Sequence, residues 1–278
     1  MTGVQTCALP ILGATTISFF GVDQRVRILL NLARTLWLRG FADQARRISQ
    51  RAINEAANQD HPVSICMSLV HVSGIFLWIG DLPRASDLID QLIAYAGRYS
   101  LNPYSAVGMA LKGALAIARN EAEAGLDLLR TALGILASEQ YNAMSTEIIG
   151  AFAEGLRRIG HFEEALRTIN DVIVSAIDSG AKFYLAELMR IKALILASMP
   201  QPDRASAMDC LNEALELARE QSAQALELRS ATALARLLAD SGQRAQARHL
   251  LTLVYKRFTE GFETKDLRVA RQLIEELA

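Results

Sequence analysis

The residues able to do chemistry are scattered along the chain rather than assembled. The four histidines, His61, His71, His161 and His249, stand far apart, and the three cysteines, Cys7, Cys66 and Cys210, show neither CxxC pairs nor Cys/His ligand spacing. That pattern argues against a zinc site and a disulfide framework and suits a cytoplasmic protein. No GxxxxGK[ST] phosphate loop, GxSxG elbow, HExxH, EF-hand loop or GxGxxG turn occurs. Carboxylates such as Glu163, Glu164, Glu213 and Glu216 are of the kind any exposed helix face carries. With no nucleophile, base and oxyanion donors in one constellation, no catalysis, cofactor or metal is expected of this chain. What remains to its charged residues is recognition, and that depends on the elements that place them.

Those elements repeat. Gly40-Phe-Ala-Asp-Gln-Ala45, Gly80-Asp-Leu-Pro-Arg-Ala85, Asn120-Glu-Ala-Glu-Ala-Gly125, Gly160-His-Phe-Glu-Glu-Ala165, Pro202-Asp-Arg-Ala-Ser-Ala207 and Gly242-Gln-Arg-Ala-Gln-Ala247 recur every 40 to 42 residues. Each opens on a turn or capping residue, most often glycine, which closes a helix in the left-handed conformation without a Cβ penalty. A small residue follows five positions later. Before each turn stands another: Ala33, Ser73, Gly113, Ala153, Ala193 and Ala235, seven residues ahead except where Met199 to Gln201 adds two. Small residues on both helices of a hairpin let the two backbones approach closely. The pattern resembles the tetratricopeptide (TPR) repeat over residues 22–258, with repeats longer than the usual ~34 residues. HEAT and armadillo repeats share the length, but the glycine and alanine at the turn favour the TPR-like form. The fold class expected is all-α, a TPR-like α-solenoid of about six helical hairpins.

A solenoid's recognition surface is its concave side, lined by the first helix of each hairpin. The inner-facing positions of the TPR pattern select Arg27, Arg34, Met67, Val70, Leu77, Val107, Ala110 and Ile117 in the first three hairpins. Glu147, Glu154, Arg157, Glu187, Arg190, Arg229 and Arg236 follow in the last three. The groove so read has an apolar middle and a charged C-terminal half, which suits a protein, a peptide or a small charged effector. Two roles remain open for Glu154 with Arg157 and Glu187 with Arg190. They face a ligand, or they are local i,i+3 helix pairs contributing about 0.2–0.5 kcal/mol each.

Beyond the repeats, Phe258-Thr-Glu-Gly261-Phe262 breaks the period. Thr264 is positioned to N-cap a last helix with Leu267, Ala270, Leu273, Ile274 and Leu277 on one face. Residues 259–278 are therefore expected to cap the array, whereas nothing near Phe19 and Phe20 offers a comparable cap. At the other end, Met1 to Ile11 resembles the translation of a common sequencing-library adapter, with 12–21 as a junction. The natural protein is accordingly expected to extend further upstream. The 29 basic and 30 acidic residues leave a net charge of −1, which provides no general attraction to nucleic acid or anionic lipid. His61 to Gly80 is free of Asp, Glu, Lys and Arg and long enough to span a bilayer. Its serines, His71 and repeat register make it a buried helix instead, so no membrane partner is expected.

Several strings carry a resemblance more specific than the repeat. They are Phe20-Gly-Val-Asp-Gln-Arg-Val-Arg27, Ala33-Arg-Thr-Leu-Trp-Leu-Arg-Gly40, Phe76-Leu-Trp-Ile-Gly-Asp-Leu82, Leu185-Ala-Glu-Leu-Met-Arg-Ile-Lys192 and Phe258-Thr-Glu-Gly-Phe-Glu-Thr-Lys-Asp-Leu267. Together they look like the C-terminal TPR-like region of bacterial predicted-ATPase regulators of the signal-transduction ATPase class. The resemblance implies an upstream P-loop ATPase and an output domain, commonly a winged-helix DNA-binding module, with this array as a sensor arm that touches no nucleic acid itself. It transfers no catalytic residue. A free-standing TPR adaptor joining two proteins is the alternative.

Overall fold

The structure, a computed structural model, describes residues 24–59, 61–141 and 144–278. The segments 1–11 and 12–21, Cys7, Phe19 and Phe20 lie outside the described residues. Among those described there are thirteen α-helices. In chain order they are α1 (Gln24–Leu38), α2 (Ala42–Asn58), α3 (Pro62–Ile79), α4 (Leu82–Arg98), α5 (Asn102–Ala118), α6 (Ala122–Ser138) and α7 (Ser145–Arg158), followed by α8 (Phe162–Asp178), α9 (Leu185–Ser198), α10 (Arg204–Glu220), α11 (Gln224–Asp240), α12 (Arg244–Tyr255) and α13 (Lys265–Glu276). A single 3-10 turn, Lys182–Tyr184, leads into α9. Helices α1 to α12 pack as six consecutive hairpins, the TPR-like solenoid the sequence spells out, and α13 packs on α11 and α12.

The repeat signals do the physical work expected of them. Gly40, Gly80, Asn120, Gly160 and Gly242 all take positive φ. At these turns the residue after the left-handed one donates back to a carbonyl five positions earlier, as Phe41 N to Leu36 O at 2.8 Å and Asp81 N to Phe76 O at 3.0 Å. The carbonyls that a helix end would leave orphaned are thereby satisfied. The same closure recurs between hairpins at Ser100, Gln140 and Ser222, and Gly180 also takes a positive φ. Between α9 and α10 the two extra residues replace it with an extended Met199, and Asp203 restarts the chain by accepting from Ser206 N at 3.0 Å. Ala33, Ser73, Ala153, Ala193 and Ala235 are completely buried. Gly113 shows why small residues are needed: a Cβ there would lie 2.7 Å from the carbonyl oxygen of Gly125 on the facing helix.

Helix α3 is long and apolar enough to cross a membrane by length and composition. Here it is packed among α1, α2, α4 and α5, with Cys66, Val72, Ile75 and Ile79 at 1% exposure or less. Burial raises the Cys66 thiol to about 11, so it is an inert core group at neutral pH.

The end-to-end arrangement differs from an open groove. The solenoid winds until its first hairpin meets its last, and α1 contacts α11. A shared core joins Ala33, Trp37, Ala42 and Ile79 to Ala186, Ala223, Ala225 and Leu226. The Phe258–Thr264 connection forms the other side of this seam. Glu260 accepts from the backbone N of Gln44 at 2.9 Å and from its Nε2 at 3.1 Å, and Gly261 N donates to Asp43 Oδ2 at 3.0 Å. Helix α2 begins after Phe41, whose side chain cannot cap. The orphan N–H of its first turn is satisfied by a carboxylate from the far end of the chain. Gly40 is required twice over, by its φ of +88° and because a Cβ would stand 2.9 Å from the Phe258 ring. So the segment expected to cap a free edge also clasps the first hairpin. Thr264 occupies the N-cap position of α13 but makes no side-chain capping bond; it is buried in the seam instead.

Candidate ligand cavity

Closing the array turns the groove into an interior. Its larger lobe, about 580 Å³, is walled by α3, α7, α9, α11 and α13. Of the positions selected from the sequence, Leu77, Glu154, Arg157, Glu187, Arg190, Arg229 and Arg236 line it, joined by Trp78, Arg158, Lys265 and Asp266. A smaller apolar lobe of about 160 Å³ adjoins it, formed by Ala110, Leu111, Ala114 and Ile148 with Glu147 and Tyr184. Leu77, Trp78 and Arg229 belong to both lobes.

Arg229 organises the larger lobe. Its Nε donates to Asp266 Oδ2 at 2.7 Å, Nη1 to Glu187 Oε1 at 3.1 Å and Nη2 to the Trp78 carbonyl at 2.7 Å. Its guanidinium also lies 5.1 Å from the centre of the Trp37 ring, within cation–π range. One side chain on α11 thus ties together α1, α3, α9 and α13. The Trp78 carbonyl belongs to the last turn of α3, where an arginine donor is favoured by the helix dipole as well as by the unfilled acceptor. Trp37 and Trp78, the two tryptophans of the chain, stack at 4.6 Å, and Tyr184 continues the stack at 5.9 Å.

The two i,i+3 pairs are present and bidentate. Arg157 holds Glu154 through Nε and Nη2, both at 2.8 Å, and Arg190 holds Glu187 through Nε at 2.9 Å and Nη2 at 2.8 Å. They are also more than local pairs. Glu154 takes a further bond from Arg158, and Glu187, 4% exposed, takes one from Arg229 of the next hairpin. Burial pushes the Glu187 carboxyl up, but the adjacent Arg190 and Arg229 outweigh burial and hold it at about 2. Burial likewise opposes, and Arg157 and Arg158 overcome, at Glu154, whose carboxyl titrates below its ordinary value. Glu147 goes the other way: burial raises it, and Arg34 only partly compensates. His71 is pushed down to about 4 by burial and by Arg34, so it is neutral at pH 7.

Six positions selected from the sequence line neither lobe. Arg27 is exposed on α1. Arg34 lies over the Phe183 ring, 4.7 Å from its centre. Met67 is half-buried against the core, and Val70 is inside it at 3% exposure, as are Val107 and Ile117. The reason is that α3 packs directly against α1 and α5, so inner-facing positions there meet a neighbouring helix rather than open space. Conversely, Lys265 and Asp266, on α13, escape a projection based on one helix of each repeat, whereas Trp78 and Arg158 stand on the projected helices, each next to a selected position. The signal for Trp78 was its place beside Leu77 and its match to Trp37, each just ahead of a turn glycine.

No protein-family model matches the chain. A curated protein of Rhizobium meliloti (strain 1021), the uncharacterized protein R02095, is 26% identical over 219 residues. The match covers 76% of this chain and 20% of that protein, so the chain spans about a fifth of its relative's length. Solved structures share the fold at low identity. A Rap protein complexed with competence and sporulation factor superposes with a TM-score of 0.63 at 17% identity, over 92% of this chain and 70% of the other. The apo form of RapI gives 0.60 at 13%, covering 91% and 85%, and NprR in complex with its cognate peptide NprX gives 0.56 at 14%, covering 92% and 78%. At these identities the likeness is one of fold, a TPR-like solenoid similar to that of the Rap and NprR regulators.

Proposed function

We propose that this chain is the ligand-binding sensor arm of a longer ATP-dependent signalling or transcription regulator, cytoplasmic and without catalysis of its own. The observation that carries the reading is the position of the cavity. A ligand entering it touches Arg229, and Arg229 holds the first hairpin to the last. Binding that favours the closed arrangement over a more open one would shift that equilibrium by the difference in its affinity for the two, which is the thermodynamic requirement for a sensor. A cavity of this size falls in the usual range for small ligands and short peptides. Two of the structures that share the fold are complexes, one with competence and sporulation factor and one with a cognate peptide. The larger size of the R02095 protein is in keeping with an arm attached to other modules, and the resemblance to predicted-ATPase regulators names them as an ATPase and an output domain.

The adaptor reading draws on a different feature, the exposed Val174 and Ile177 one helical turn apart on α8, which could seat a second protein. Sequence upstream of the same gene separates the two. An in-frame P-loop motif supports the regulator, and a start codon just ahead of Phe20 with none upstream contradicts it.

A further inference from the structure

We propose that the larger lobe is a carboxylate-binding site, and that its ligand joins that carboxylate to an apolar group, as does a short peptide ending in a free aliphatic or aromatic residue. The inference rests on the reading of the cavity as a ligand site and specifies its chemistry.

The walls carry six cationic side chains against three carboxylates. The carboxylates are already engaged: Glu154 by Arg157 and Arg158, Glu187 by Arg190 and Arg229, Asp266 by Arg229. On the cationic side, Nη1 of Arg190, the Arg236 guanidinium and the Lys265 ammonium have no hydrogen-bond partner among the described residues. The excess charge is thus positive and its free donors converge on one space. Arg190 is clamped bidentately by Glu187, so an incoming anion does not have to fix its rotamer, and preorganised donors lower the entropic cost of binding. A cationic ligand would meet an excess of like charge, and an apolar ligand would strip water from these donors without replacing its hydrogen bonds.

The adjoining lobe sets the other half of the ligand. Alanines 110 and 114 leave room beside Leu77, Leu111 and Ile148, and the lobe opens at Trp78 and Arg229, the side chains it shares with the cationic space. A group held by its carboxylate in one lobe therefore has an apolar pocket within reach of its next carbons. Glu147 at that wall provides an acceptor for a ligand N–H.

The test uses the whole chain, immobilised, and two random tetrapeptide libraries that differ only at the C-terminus, one a free acid and one amidated, with bound peptides read by mass spectrometry. Enrichment from the free-acid library alone, with Leu, Ile or Phe at the last position, is the expected result. For the best binder, Arg236→Gln should weaken affinity about tenfold, the order expected of one charge-assisted contact, and added salt should weaken it too. Arg248→Gln, exposed on α12 and outside the cavity, should leave it unchanged. Hexanoate and phenylpropionate, run in parallel, distinguish the sources: binding as tight as the best peptide supports the carboxylate site and assigns it to a small organic acid. Equal enrichment of acids and amides overturns the carboxylate site and leaves a ligand cavity standing. No binder from either library or from the acids overturns both readings.

Discussion

At the scale of single residues, two carboxyls of the cavity wall have opposite consequences for stability. Glu187 is depressed to about 2 by Arg190 and Arg229. A carboxylate whose folded value lies below its unfolded one contributes stability above the unfolded value, near 4.5, and that contribution fades as pH falls toward 2. Glu147 is raised by burial, so the sign reverses: its native form binds the proton more tightly, and stability is lost as pH rises through the folded value. Glu147→Gln should therefore raise the melting temperature at pH 7, with the gain shrinking as pH is lowered toward the ordinary carboxylate range. Thermal melts of both proteins across that range give the check. Arg229 is the more severe case. Its replacement by Gln leaves Asp266 and the Trp78 carbonyl without their donor and removes one of the two cations beside Glu187. Breaking a buried ion pair costs about 3–5 kcal/mol. Urea denaturation of Arg229→Gln should show a loss of that order, whereas Arg236→Gln, exposed and without a partner, should stay within about 0.5 kcal/mol.

At the scale of elements, the small residues and turn glycines explain why the repeats were legible. Five of the six hairpins close on a left-handed residue after the first helix, and all six set small residues where the backbones meet; only a few amino acids satisfy either demand. The fixed period then announces itself. Glycines inside helices separate the two physical roles cleanly. Gly113→Ala would drive a Cβ to 2.7 Å from the Gly125 carbonyl and 2.8 Å from Leu129 Cγ, while Gly134→Ala on α6 meets nothing within 4 Å. The first should destabilise by about 1–3 kcal/mol through overpacking, and the second should stabilise by about 0.5–1 kcal/mol through helix propensity. Equilibrium unfolding of the two variants side by side would show opposite signs. The charged half of the cavity was also readable, because Glu154, Arg157, Glu187, Arg190, Arg229 and Arg236 recur on the first helix of successive hairpins. The apolar half was read less well. Val70, Val107 and Ile117 obey the same register, yet they pack against neighbouring helices, and sequence spacing does not reveal how tightly adjacent repeats are wound.

At the scale of the whole molecule, closure was the part the sequence concealed. Asp43 and Gln44 meet Gly261 and Glu260 across 218 and 216 positions of chain, and no period connects the two segments. Even so, the strings that set this chain apart from a generic repeat array fall largely at the seam: Trp37 and Gly40, Trp78 and Gly80, Phe258 to Gly261. Their distinctiveness has a structural reason, since each makes a contact that an open solenoid would not need. The sensor reading depends on that seam being formed and being coupled to the cavity through Arg229. The Gly261 amide reports it directly, because its hydrogen bond runs to the Asp43 carboxylate of the first hairpin. Residue-resolved hydrogen exchange should find this amide, together with that of Gln44, slowed by about a hundredfold or more relative to an unstructured chain. Glu260→Ala or Arg229→Gln should remove much of that protection while the amides in the middle of α5 and α6 keep theirs. Exchange of the Gly261 amide at the unstructured rate in the unaltered protein would contradict the closed array and the cavity built upon it.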